Sequence, residues 1–178
     1  MSRRLRAVVV LTVTTICGVG LTGCATEYRG PSSGIDGVLW RQVASIEDPL
    51  VAEIYQPSTQ EPEAYLDALG QPEWDGRDAS VPDLGLGDGG GVLYDVEAGA
   101  SAVGFSVFIA SGPRADEPTD SGGRYGGPGE VFTCYRYEVE FGAPSPSAGR
   151  TVLDDCPPVL VDELADDAAF ASAEVFDG

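Results

Sequence analysis

One stretch constrains the fold of this chain more than any other: EVFTCYRYEVEF, Glu130 to Phe141. At the two-residue period of an extended strand it places Val131, Thr133, Tyr135, Tyr137, Val139 and Phe141 on one face. Phe132, Cys134, Arg136, Glu138 and Glu140 fall on the other. The tyrosines on the first face are read as core. Partner strands are at hand upstream: Ser101 to Ala110 alternates Val103, Phe105, Val107 and Ile109 against small residues, and Val92 to Glu97 precedes it across the turn Ala98-Gly99-Ala100. These two read as a hairpin with one buried face. Downstream, GAPSPSAGR is a second hairpin loop, and Thr151 to Asp154 gives a short strand.

Helical patterns flank the strands. From Val38 to Tyr55, Val43, Ile46, Leu50, Val51 and Ile54 recur at three- and four-residue steps, and Asp48-Pro49 supplies an N-cap and first-position pair that predicts a new helix start there. PEAYLDALG predicts a short helix with Pro62 first, Tyr65, Ala68 and Leu69 on one face, and Gly70 as terminator. The segment from Val159 to Phe176 reads as a C-terminal helix, apolar at Val161, Leu164, Ala168 and Val175. Gln71 to Gly91 is read as loop. Its Gly85 to Gly91 run resembles glycine-rich calcium or phosphate loops but carries no lysine and no repeat, so it is read as a flexible lead-in to a strand. Ser111 to Gly129 is too rich in glycine, proline and charge to pack, and is expected to be mobile.

Three residue types are missing: the chain has no His, no Lys and no Asn. That excludes Ser-His-Asp triads, Ser-Lys dyads, P-loop lysines and Schiff-base lysines. Zinc chemistry lacks good ligands as well. Whatever chemistry remains must use Asp, Glu, Tyr, Arg, Ser or a bound metal.

The N-terminus explains where such a chain works. Arg3, Arg4 and Arg6 precede a fifteen-residue apolar run from Ala7 to Leu21, shorter than a membrane span and followed by small residues, as in a secretory signal peptide. The run ends in Leu21-Thr22-Gly23-Cys24, which resembles the lipobox of bacterial lipoproteins. The resemblance covers this leader alone, and the domain behind it resembles no family. It implies cleavage before Cys24, a diacylglyceryl thioether on its sulfur, and anchoring to the membrane through that lipid. Arg6 stands where a twin-arginine leader usually has a large apolar residue, which favours the general secretion route. The organisation is then a signal peptide over 1–23, a Gly, Pro and Ser tether over 24–37, and a single acidic domain over 38–178.

Removing the leader takes three arginines and no acid, leaving seven basic residues against 29 acidic ones and a formal charge of −22. Such a surface repels nucleic acid and anionic headgroups. It suits a basic partner, or one whose binding weakens with salt. With Cys17 discarded and Cys24 lipidated, Cys134 and Cys156 remain, and an exported compartment permits their disulfide. No catalytic residue, metal ligand set or cofactor is assigned. The only candidate constellation is of carboxylates, for example Glu138 and Glu140 with Asp154 and Asp155 nearby, and the same-face spacing beside Arg136 suits a solvated sheet better than a pair of catalytic acids. Asp116, Glu117 and Asp120 could form a weak calcium site but lack the spacing of a known calcium loop.

The expectation is an α+β domain: an antiparallel meander of about four strands, N-terminal helices, and a C-terminal helix packed on the sheet. The expected role is a lipid-anchored binding or assembly module on the extracytoplasmic face of the cell membrane, its partner a cell-envelope protein. The alternative is a carboxylate-dependent hydrolase acting on an envelope glycan.

Overall fold

The computed structural model describes residues 36–120, 122–142 and 146–171. The leader, Cys24 and most of the expected tether lie outside these residues. The fold is α+β.

Asp36 opens α1, Gly37–Tyr55, by accepting a hydrogen bond from the Leu39 amide at 3.1 Å. The expected break at Asp48-Pro49 does not occur, and Pro49 sits inside one continuous helix. Proline in a helix costs about 3 kcal/mol through a lost hydrogen bond and a clash with the preceding turn. Pro49 is on the exposed side, and continuing the helix buries Leu50 and Ile54 on the face already set by Leu39 and Val43. At about 1.5–3 kcal/mol per buried side chain, that burial outweighs the break. The short helix α2, Pro62–Ala68, has its proline first and ends before Gly70 at φ +65°, as its sequence predicts.

Four strands follow in a meander: β1 Gly90–Ala98, β2 Ala102–Ala110, β3 Val131–Glu140 and β4 Ser147–Val152, all paired antiparallel in that order. A fifth, β5 Ala169–Phe170, runs parallel to β3 at Val131 and Phe132, so the sheet is mixed. The expected C-terminal helix is present and packs on the sheet, but it does not run on from Val161. Its described part is a short α3, Pro158–Val161, that packs Leu160 on the sheet, followed by turns and β5; Val175 lies outside the described residues. The register explains the change. β4 pairs only from Tyr135 onward, leaving the edge of β3 at Val131 and Phe132 open for Ala169 and Phe170.

Both faces of the sheet are covered, which corrects the reading of a hairpin with one buried face. Val103, Phe105, Val107 and Ile109 of β2 pack with α1, α2 and the Tyr135–Tyr137 face of β3. On the other side, Phe108, Ala110, Phe132 and Cys134 pack with Val81, Leu86, Leu160 and Leu164. The loop read as flexible over Gly85 to Gly91 belongs to that second layer: the segment Asp78–Asp88 forms short 3-10 turns that bury Val81 and Leu86. Small residues on β2 misled the pattern because they make room rather than face water. A Cβ on Gly104 would lie 2.7 Å from the Arg136 guanidinium and 3.0 Å from the Glu138 carboxylate. No described helix is long and apolar enough to cross a membrane.

Candidate functional site

Cys134 and Cys156 are joined, with Cα atoms 5.8 Å apart. The Leu153 amide donates to the Cys134 carbonyl at 3.1 Å, guiding the chain leaving β4 back across the middle of β3. The carboxylates weighed for hydrolysis do not converge. Glu138 and Glu140 are exposed and lie opposite Gly149 and Ser147, while Asp154 and Asp155 follow Leu153 near Cys134, toward the other end of the β3–β4 pair. Glu138 is held by the Arg136 Nε at 2.8 Å, as on a solvated sheet face.

The segment from Ser111 to Gly129, expected to be mobile, is fastened to α1. Arg114 forms a forked contact with Asp36, its Nη2 2.7 Å and its Nε 2.8 Å from one carboxylate oxygen, and both side chains are only 12% exposed. Gln42 donates to the Ser111 and Pro113 carbonyls and accepts from the Ala115 amide. Tyr125 lies under the Arg114 guanidinium at 4.5 Å. Asp120 pairs with Arg41 at 3.2 Å, and no three potential metal ligands converge among the described residues, so Asp116, Glu117 and Asp120 do not form the calcium site considered above.

Two buried acids escaped the sequence reading. Glu47 on α1, only 1% exposed, meets Arg150 of β4 at 3.5 Å, and that guanidinium lies 5.1 Å from the Tyr135 ring centre. The group ties the helix to the edge strand. Glu130, just before β3, accepts the Ala165 amide at 3.1 Å, and the Gly112 amide also favours its charged form. Burial pushes its pKa up. The two serve different joints of the fold and share no site with Glu138 or Glu140.

One concavity among the described residues lies where the segment Glu73-Trp74-Asp75-Gly76 meets the outer edge of β1. The Trp74 amide donates to the Leu93 carbonyl and the Leu93 amide to the Pro72 carbonyl, both at 2.8 Å, so this segment adds a parallel bridge to β1. Trp74 is fixed by its indole N–H, which donates to the Arg77 carbonyl at 2.9 Å, and Gly76 at φ +78° turns the chain beneath it. Asp75 accepts from the Arg77 amide and the Ser80 hydroxyl. On the strand side, a bulge between Tyr94 and Glu97 puts Asp95 at φ +49°. The Arg136 guanidinium donates to the Asp95 carbonyl at 3.3 Å and supports the bulge.

The resulting cleft, of ≈ 220 Å³, is lined by Glu73, Trp74, Asp75, Gly76, Tyr94, Asp95 and Val96. The Trp74 and Tyr94 rings lie 6.4 Å apart. The Tyr94 hydroxyl is buried beside Ser106 of β2, and burial pushes its pKa up to about 12 against the lowering effect of that serine's hydroxyl. Sequence reading missed the site, although Glu73-Trp74-Asp75 and Tyr94-Asp95 each pair an aromatic residue with acids. Only the bridge between Glu73 and Leu93 brings them together.

Comparison with known proteins adds no relative: no family model, no curated protein and no solved structure matches the chain.

Proposed function

We propose that this protein is exported, anchored to the membrane through lipid on Cys24, and acts as a non-catalytic binding module in the cell envelope, engaging a partner through the Trp74–Tyr94 cleft. The cleft carries the reading: it gathers Trp74, Tyr94 and the carboxylates of Glu73, Asp75 and Asp95 in one concavity, while Glu138 is solvated beside Arg136 and Glu47 is built into a joint of the fold. The apolar leader ending in Leu21-Thr22-Gly23-Cys24 supports export and acylation. The Cys134–Cys156 disulfide fits an oxidising compartment. A tether of Gly, Pro and Ser gives the domain reach without fixing its orientation. A glycan hydrolase is the poorer fit, because its two acids must face one another across a bond and Glu138 and Glu140 project from one face of one strand.

The test is photo-cross-linking on intact cells, with a photoreactive residue replacing Asp75 in the cleft or Glu117 in the segment fastened to α1. The proposal expects a discrete adduct from position 75 and none from position 117. Adducts at both positions alike, or at neither, contradict it.

A further inference from the structure

We infer that the cleft takes a cationic side chain of a partner polypeptide, a guanidinium or ammonium lying against Trp74 and Tyr94 with Glu73 and Asp95 as its counter-charges. This rests on the binding reading above and names the class of ligand.

Four observations lead there. First, the partly exposed Trp74 ring, backed by the buried Tyr94, offers the negative quadrupole that attracts an organic cation, and the concavity excludes part of the water that would screen it. Second, the carboxylates are not equivalent. Asp75 is engaged by Arg77 at 3.2 Å and by Ser80, whereas Glu73 and Asp95 are exposed on the rim and so remain open to a visiting charge. Third, the Tyr94 hydroxyl, buried beside Ser106 of β2, keeps acceptor capacity that an N–H donor would use. Fourth, the size and chemistry exclude other occupants. A space of ≈ 220 Å³ holds one side chain and not a whole cofactor. A bare metal ion would need converging oxygen ligands, and no group of three forms among the described residues.

The placement also suits a polypeptide. Beyond Leu93 the outer edge of β1 pairs with no strand among the described residues, so a partner main chain can run alongside while its side chain enters the cleft. The surrounding negative charge would draw in a basic segment and repel an acidic one.

Trp74 provides the readout, because the only other tryptophan, Trp40, is buried in the core. The full chain in detergent micelles is titrated with a short arginine-rich peptide, a glutamate-rich peptide of equal length, and an N-acetylglucosamine oligomer. The arginine-rich peptide should change the Trp74 emission, and neither of the others should. In the double variant Glu73→Gln, Asp95→Asn its binding should weaken about tenfold. In Glu163→Gln, Asp166→Asn, which removes the same charge near α3, binding should hold within about twofold at one ionic strength. Equal weakening in both double variants would show attraction by overall charge and overturn the assignment. A response to the neutral oligomer that survives loss of Glu73 and Asp95 would overturn the cationic class yet leave the cleft a binding site. Silence toward every probe, with no photo-adduct from position 75, would fell both readings.

Discussion

Reduction of the Cys134–Cys156 bridge is a clean perturbation, because it cuts one cross-link and leaves every side chain in place. The bridge closes a loop spanning 22 residues that contains the β3–β4 hairpin. Cross-linking a chain over that span removes unfolded-state entropy worth about 3.4 kcal/mol. With a urea sensitivity of about 2 kcal/mol per molar, the unfolding midpoint should fall by about 1.7 M on reduction. The double variant Cys134→Ala, Cys156→Ala should fall further, by about 0.5 M, because Cys134 is fully buried against Phe108 and Phe132 and its sulfur leaves a void. The assay is urea unfolding of oxidised, reduced and doubly substituted protein, followed by tryptophan emission and far-ultraviolet circular dichroism. A reduced protein whose midpoint lies within about 0.5 M of the oxidised one would refute the reasoning. The β3–α3 joint would then be held by its apolar contacts and not by the bridge.

Tyr65→Phe removes a hydroxyl that is buried and has no hydrogen-bond partner among the described residues, while keeping the ring contacts to Phe105 and Phe141. Thermal unfolding should show no loss and up to about 1 kcal/mol of gain; a loss larger than that would mean the hydroxyl is satisfied. Burial raises the pKa of Glu130 against the lowering effect of the Ala165 and Gly112 amides, and the charge of Asp167 adds to the rise. The stability this confers is present below the ordinary carboxylate range and lost as pH rises through the raised folded value. Glu130→Gln should therefore gain on the native protein at neutral pH, with the gap closing below about pH 4 in paired urea midpoints; a gap constant with pH contradicts this. Asp36 is the opposite case. Burial works against its ionisation, but the hydrogen bond and charge of Arg114 and the Leu39 amide outweigh it and hold the carboxyl below its ordinary value. Its contribution is present above the carboxylate range and lost as pH falls through the lowered folded value. Asp36→Ala should cost about 2 kcal/mol at neutral pH, through the helix cap and the Arg114 pair together, and should flatten the acid limb of the stability curve. An unchanged acid limb would contradict that assignment.

What could be read from the sequence was local. The two faces of β3 follow from alternation, and they are the faces found: Tyr135, Tyr137 and Val139 in one cluster, Phe132 and Cys134 in the other. Pro62 and Gly70 mark the ends of α2 by their own backbone preferences. Counting cysteines was enough to pair Cys134 with Cys156. What failed depended on partners distant along the chain. Nothing near Phe108 or Ala110 reveals that a second layer covers them. Pro49 reads as a helix start until the burial of Leu50 and Ile54 is weighed against it. The segment after Ser111 has the composition of an unpacked loop, and Asp36, Arg41 and Gln42, from the other half of the chain, give it a place. The cleft is the same kind of failure. Two unremarked aromatic and acidic pairs become one site because Leu93 exchanges backbone hydrogen bonds with Pro72 and Trp74.

Export and acylation at Cys24 underlie the functional proposal, and one spectrum reads both: intact-mass analysis of membrane-extracted protein, denatured without reduction and treated with a thiol alkylator. The proposal predicts a chain beginning at Cys24, carrying the mass of a diacylglyceryl group with or without a further acyl chain, and no alkyl group at Cys134 or Cys156. A chain that retains residues before Cys24, an unmodified Cys24, or alkylation of the two downstream cysteines would contradict it.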